Sequence, residues 1–353
     1  MMDFFSTSQQ IIDTIQAHGY QYRHQIAKGG FATIHLVNSQ KYSQEFAIKV
    51  QPKSSVGYNE HELQTLVKLQ HSSVTKVYEY FQDEDKNLYI VLEYCTNGSL
   101  INFIKNVGPL TNDMLFTFCY WIATALEYCH DQNIVHLDIK PGNILIDGYG
   151  RPKLADFGLS HETQGKKSTL FSGSKNFQSP QVISREPYDP FKADVWSLGC
   201  TFYFIATGVI PFFDKNEKAL IMKIENGIYE IPKTVSPKMA AIIQKMLSDD
   251  EKSRPSMKSV VRALDQCLSE KKQDTINNPK FVPVPVNARS KVNLIRSRRK
   301  SFMNCASISI LGGSSPSSNA RGRKVISAQI SFNDLPQQYE DEGLHLKNDE
   351  NCE

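Results

Sequence analysis

Hydrophobic and polar positions alternate differently in two stretches of the chain. Residues 8–18, SQQIIDTIQAH, place Ile11, Ile12 and Ile15 on one helical face, with Ser8 able to cap the start and Gly19 to end it. The pattern then switches to strands. YQYRHQIAKGG, ATIHLVNS and QEFAIKVQP are alternating or apolar segments separated by a Gly pair and by the polar SQKYSQ, which predicts antiparallel hairpins. NEHELQTLVKLQH returns to helical spacing through Leu63, Leu66 and Leu69. Two further strands, VTKVYEYFQD and NLYIVLEYC, flank the charged turn DEDK. Beyond residue 98 the spacing becomes helical, most clearly in NDMLFTFCYWIATALEYCHDQN, a long apolar helix with an acidic start. The run VWSLGCTFYFIATGVIPFF, residues 195–213, has no charge, but its Ser, Thr, Gly and Pro content predicts a buried core helix and no membrane span. The pattern describes an α+β protein with a sheet-rich first lobe and a helical second lobe.

At 353 residues and 40% hydrophobic, the chain can bury a large core. The net charge of +3 hides a polarity: residues 281–324 contain no acid, whereas acids dominate from Asn333 onward. Ser, Asn, Pro and Gly fill the space between, so residues 271–353 read as a low-complexity, disordered tail. Seven cysteines, with no Cys-x-x-Cys pair, argue against a zinc site and against a disulfide framework. No signal peptide or myristoylation site is visible at the start, so a reducing compartment fits, the cytoplasm first and the nucleus as the alternative. The basic tail lacks interleaved aromatics, and nucleic acid is not an expected partner.

The chemistry concentrates in HLDIKPGNIL, residues 136–145, and in KLADFGLS a few residues later. Phosphoryl transfer needs a group to orient the attacking hydroxyl and take its proton, cations on the phosphates, and ligands to hold those cations. Asp138 can accept the proton and Lys140 can sit near the transferred group. Asn143 and Asp156 can ligate a metal. Lys49 ends the apolar strand FAIK, where a cation would face a cleft.

These stretches resemble the eukaryotic protein kinase superfamily over about residues 20–270. QIAKGGFATI looks like the glycine-rich loop, FAIK like the strand of the nucleotide lysine, HLDIKPGN like the catalytic loop and DFG like the magnesium loop. SPQ looks like Ala-Pro-Glu, and DVWSLG like the start of the central helix. The resemblance implies a two-lobed protein kinase fold: a short helical extension at 1–19, a small antiparallel-sheet lobe with one helix to about 95, and a larger helical lobe over 96–270. ATP and Mg2+ are the implied cofactors. Ile26, Ala27, Lys28, Gly29, Gly30, Ala32 and Ile34 would cover the nucleotide. Ala47 and Leu145 would sandwich the adenine, with Leu92 as gatekeeper and backbone groups of Glu93 and Cys95 at the hinge. Lys49 would contact phosphates and pair with an acid on the next helix; Glu60 and Glu62 compete, and the spacing to His71 favours Glu62. His136 and Asp194 would be structural.

DIKPGN and Ser174 in GSKNFQSP match the serine/threonine-specific members, so proteins with Ser or Thr acceptors are the implied substrates. The stretch from Val182 to Phe212 looks nearest the calmodulin-dependent and AMP-activated kinase group. Three departures matter. Ala27 and Ala32 stand at two glycine positions of the loop, predicting weaker nucleotide handling, and a scaffold with little turnover is the alternative function. Leu137 replaces an Arg that pairs with activation-loop phosphate, predicting independence from phosphorylation at Ser168, Thr169 or Ser172. Gln181 replaces the Glu that pairs with the residue matching Arg254, predicting a softer helical lobe. In the tail, Ser301 follows the basic cluster IRSRRK, and intramolecular regulation by this segment is a further expectation.

Overall fold

The structure, a computed structural model, describes residues 2–29, 32–54, 60–108 and 110–277. Of the tail expected at 271–353, residues 271–277 continue the last helix, and the rest, with Ser301, lies outside the described residues, as does Gly30 of the expected nucleotide loop. A first helix, α1 (Met2–Ala17), leads into the strands β1 (Tyr20–Lys28), β2 (Thr33–Ser39) and β3 (Gln44–Gln51). Helix α2 (Glu60–Lys68) follows, then β4 (Val77–Gln82) and β5 (Leu88–Glu93). The strands form one antiparallel sheet in the order β1-β2-β3-β5-β4.

Side chains alternate across this sheet because the strand period is two. Val37, Phe46, Ile48, Val50, Tyr89 and Val91 share one face, where they bury Ile15 of α1 and Tyr20. Leu88 and Ile90 point to the other face and pack with Leu63 of α2. The helix expected at 8–18 thus begins earlier, at Met2, and serves as a covering layer of the first lobe. His18, just beyond it, stacks on Phe81 with ring centroids 3.7 Å apart, and Tyr20 donates its hydroxyl to Glu79 at 2.6 Å.

The second lobe opens with α3 (Leu100–Val107), whose first turn is capped by the Ser99 hydroxyl, and α4 (Asn112–Asp131). Four very short strands follow: β6 (Ile134–Val135), β7 (Ile144–Ile146), β8 (Pro152–Leu154) and β9 (His161–Glu162). They pair as β6 with β9 and β7 with β8, and these two small ladders carry the catalytic and magnesium-type loops. Helices α5 (Pro180–Ile183), α6 (Pro190–Thr207), α7 (Glu217–Glu225), α8 (Pro237–Met246) and α9 (Met257–Asn277) complete the lobe.

Helix α6 is the chargeless run of the sequence, displaced from its expected span of 195–213. It starts at Pro190 because Asp189 caps it, accepting from the Phe191 amide at 2.9 Å, and it stops at Thr207 because Gly208 turns left-handed at φ 82°. Trp196, Leu198, Cys200, Phe202 and Ile205 of α6 are fully buried among α4, α8 and α9. A methyl group added to Gly199 would lie 2.9 Å from Met246 Cβ, so only glycine lets α8 approach this closely. Among the described residues no helix is long and apolar enough to cross a membrane.

Candidate active site

Strand period and helix position bring three charged groups together between the lobes. Lys49 faces α2 from β3, and its Nζ donates to Glu62 Oε1 and Oε2 at 2.6 and 2.8 Å and to Asp156 Oδ1 at 3.1 Å. Burial alone would lower the Lys49 pKa, but the adjacent Asp156 and Glu62 carboxylates outweigh it and raise the value. Lys49 in turn holds the Asp156 carboxyl below its ordinary range. Glu62, the acid favoured by the spacing, is brought to Lys49, and the Glu60 side chain lies outside the described ones.

The catalytic-type loop hangs from α6. Asp194, fully buried, accepts from the backbone amides of His136 and Leu137, both at 2.8 Å, and lies 3.0 Å from His130 Nε2. His136 Nε2 meets the Ala155 carbonyl at 3.1 Å, and its ring packs on Phe157. Neither His136 nor Asp194 faces the reacting groups. Leu137 and Asp156 both take positive φ, 62° and 60°, a backbone state uncommon for residues with a side chain and kept only where surrounding bonds enforce it.

Asp138 is the hub. Its Oδ2 accepts from Asn143 Nδ2 and lies 2.8 Å from Lys140 Nζ, while its Oδ1 accepts from the Ser174 amide at 3.1 Å and hydroxyl at 3.0 Å. Lys140 Nζ also donates to the Ser174 hydroxyl at 2.7 Å. Ser174 therefore joins Asp138 to Lys140, a link the sequence motif alone did not express. With its Nδ2 committed to Asp138, Asn143 has Oδ1 as its cation-facing atom. That oxygen and the half-exposed carboxylate of Asp156 are hard donors, a set that suits Mg2+ completed by phosphate oxygens and water.

The residues expected to cover the nucleotide lie at the hairpin of β1 and β2. Ile34 pairs with Ala27 and with Lys49 across the ladders, Lys28 pairs with Thr33, and the Gly29 amide closes the turn by donating to the Ala32 carbonyl at 2.7 Å. Ile26 is exposed. Ala47 pairs with Leu92 on the lysine side of the sheet, and Leu145 sits on β7 in the other lobe. At the hinge, the Glu93 amide donates to the Lys76 carbonyl, so any base contact at that residue falls to its carbonyl. The Cys95 carbonyl accepts from the Gly98 amide, which leaves the Cys95 amide as the donor; its thiol is pushed up to about 12 by burial. The Glu93 carboxylate also binds buried Lys153 at 2.8 Å, tying the hinge to β8, a contact without any motif to announce it.

Leu137 packs with Val135, Val182, Tyr188 and Ala193. The segment from Asp156 to Pro180 is fastened nearby through backbone bonds between Ser168 and Tyr188, the Tyr188 hydroxyl on the Leu170 carbonyl at 2.6 Å, and Gln178 Nε2 on the Ser172 and Gly173 carbonyls. Arg254, also buried, donates to Gln181 Oε1 at 2.7 Å, to the Ser248, Asp249 and Lys192 carbonyls, and lies 4.9 Å over the Trp196 ring. Burial pushes its pKa down to about 10. Backbone carbonyls thus share with Gln181 the hold on Arg254 that the sequence assigned to one pairing.

A two-lobed α+β fold with a Lys–Glu–Asp cluster facing an Asp–Lys–Asn loop defines a phosphotransferase cleft. The family model described as the protein kinase domain matches residues 20–264, and the chain belongs to that family. Relatives include maternal embryonic leucine zipper kinase of Xenopus tropicalis, 34% identical over 249 residues, which are 69% of this chain and 38% of the relative. Sperm motility kinase 2B of Mus musculus is 32% identical over 239 residues, 67% of this chain and 49% of the relative. Sperm motility kinase 1 of Mus musculus is 32% identical over 245 residues, 69% of this chain and 50% of the relative. The chain spans half or less of the length of these three proteins.

Proposed function

We propose that the chain is a serine/threonine protein kinase, moving the γ-phosphoryl group of ATP to Ser or Thr hydroxyls of proteins. The observation that carries this reading is the bonded set of Asp138, Lys140, Asn143 and Ser174 opposite the Lys49, Glu62 and Asp156 cluster. The acceptor hydroxyl donates its proton to Asp138 as its oxygen bonds to the γ-phosphorus, and the bond from phosphorus to the bridging oxygen of ADP breaks. Lys140, 2.8 Å from Asp138, offsets negative charge at the transferred group. Lys49, fixed by Glu62, orients the α and β phosphates. Asn143 and Asp156 would hold Mg2+, which when bound would supply positive charge to the phosphate oxygens. Leu137 supports a second element of the reading: the segment after Asp156 is fastened by hydrogen bonds to Tyr188, which itself packs with Leu137, so no phosphate–Arg pairing gates it.

Asp138→Asn tests the reading. Transfer to a generic basic protein should fall by at least about 100-fold, with MgATP still raising the melting temperature. Equal transfer by variant and wild type would remove Asp138 from the chemistry. No transfer by either, with nucleotide-dependent stabilisation of both, would favour a nucleotide-binding scaffold, the reading suggested by Ala27 and Ala32.

A further inference from the structure

Glu62 is held from two sides. Besides Lys49, Gln51 donates its side-chain Nε2 to Glu62 Oε2 at 2.6 Å, and both Gln51 and Glu62 are 2% exposed. The strand register makes this contact inevitable once Lys49 faces α2. Lys49 stands opposite Ile90 and Gln51 opposite Leu88, so the two side chains emerge on the same face one period apart. A buried carboxylate has more lone pairs than one ammonium can satisfy, and a donor left out there costs the full desolvation of an oxygen. The amide supplies that donor in a dry site, where hydrogen bonds to ionised groups are the strong ones.

We propose that Gln51 is a positioning residue for phosphoryl transfer: its amide locks Glu62 of α2 against Lys49, so that the nucleotide-binding arrangement is assembled without an outside signal. This inference rests on the protein kinase reading and deepens it. Gln51 touches neither phosphate nor acceptor; it acts through Glu62 on Lys49. Removing the donor leaves Glu62 Oε2 with Lys49 as its remaining donor and one lone pair facing carbon, and raises the population of states in which α2 has moved away. Apparent nucleotide affinity then falls by the fraction of competent molecules, while turnover at saturating nucleotide is unchanged.

Two full-chain variants test this. Gln51→Met keeps an unbranched chain of similar volume without the donor, and Gln51→Glu sets a second carboxylate against Glu62. The KM for MgATP should rise about fivefold in Gln51→Met and further in Gln51→Glu, with kcat at saturating ATP within about twofold of wild type. The Kd for MgATP, read by titration without turnover, should move in parallel. A Gln51→Met affinity equal to wild type, or a fall in kcat at unchanged KM, would overturn the proposal. Because titration needs no transfer, a chain that binds MgATP but moves no phosphate would fail the protein kinase reading while the Kd values still decide the role of Gln51.

Discussion

Leu137 gives its backbone and its side chain separate tasks. Its backbone amide serves the loop, bound by Asp194, while its side chain joins Val135, Val182, Tyr188 and Ala193 in a buried cluster. Leu137→Ala should leave a cavity there and cost about 2–5 kcal/mol, lowering Tm by roughly 5–15 °C for a domain of this size. A thermal scan with an unchanged Tm would mean that the cluster does not hold the loop. That Asp138, Lys140 and Asn143 come together was legible in the sequence because they sit in one short motif. Ser174, Gln51 and Lys153 were harder to read. Each acts through a partner far along the chain, at Asp138, Glu62 and Glu93, and no local pattern records such pairings.

Among the elements, periodicity announced those long enough to display it. The five-stranded sheet and α4 follow from alternating and helical spacing, whereas β6 to β9, two or three residues each, are too short to carry any period. The displaced ends of α6 come from the cap at Asp189 and the left-handed Gly208, local chemistry that a count of apolar residues passes over. For α1 the apolar spacing displayed a helical face, but not its destination. Ile15 is fully buried on the sheet, and Ile11 packs beside it. Deleting residues 2–17 should therefore expose the outer face of the first lobe and remove roughly 3–5 kcal/mol, a drop of about 10 °C in Tm. A deletion variant melting with the intact chain would show that α1 is a passenger on the sheet.

In the whole molecule, the two lobes are joined by Lys49 with Asp156, by Lys153 with Glu93 at the hinge, and by Leu66, Leu69 and Val74, which enter the buried core of the second lobe. The segment between Asp156 and Pro180 is anchored to the second lobe at Tyr188, and Lys167 binds Glu251 at 3.0 Å. Replacing Ser168, Thr169 and Ser172 together by Ala should thus leave kcat and KM for MgATP within about twofold of wild type, since no charge pairing is lost. Loss of transfer in that triple variant would restore a phosphate switch to this protein. Under the proposed reading, the buried leucine has a consequence for the cell. A segment pinned by phosphate can be released by a phosphatase, but one pinned by hydrogen bonds to a buried tyrosine has no eraser. Output from such an enzyme follows how much of it is made and how soon it is destroyed.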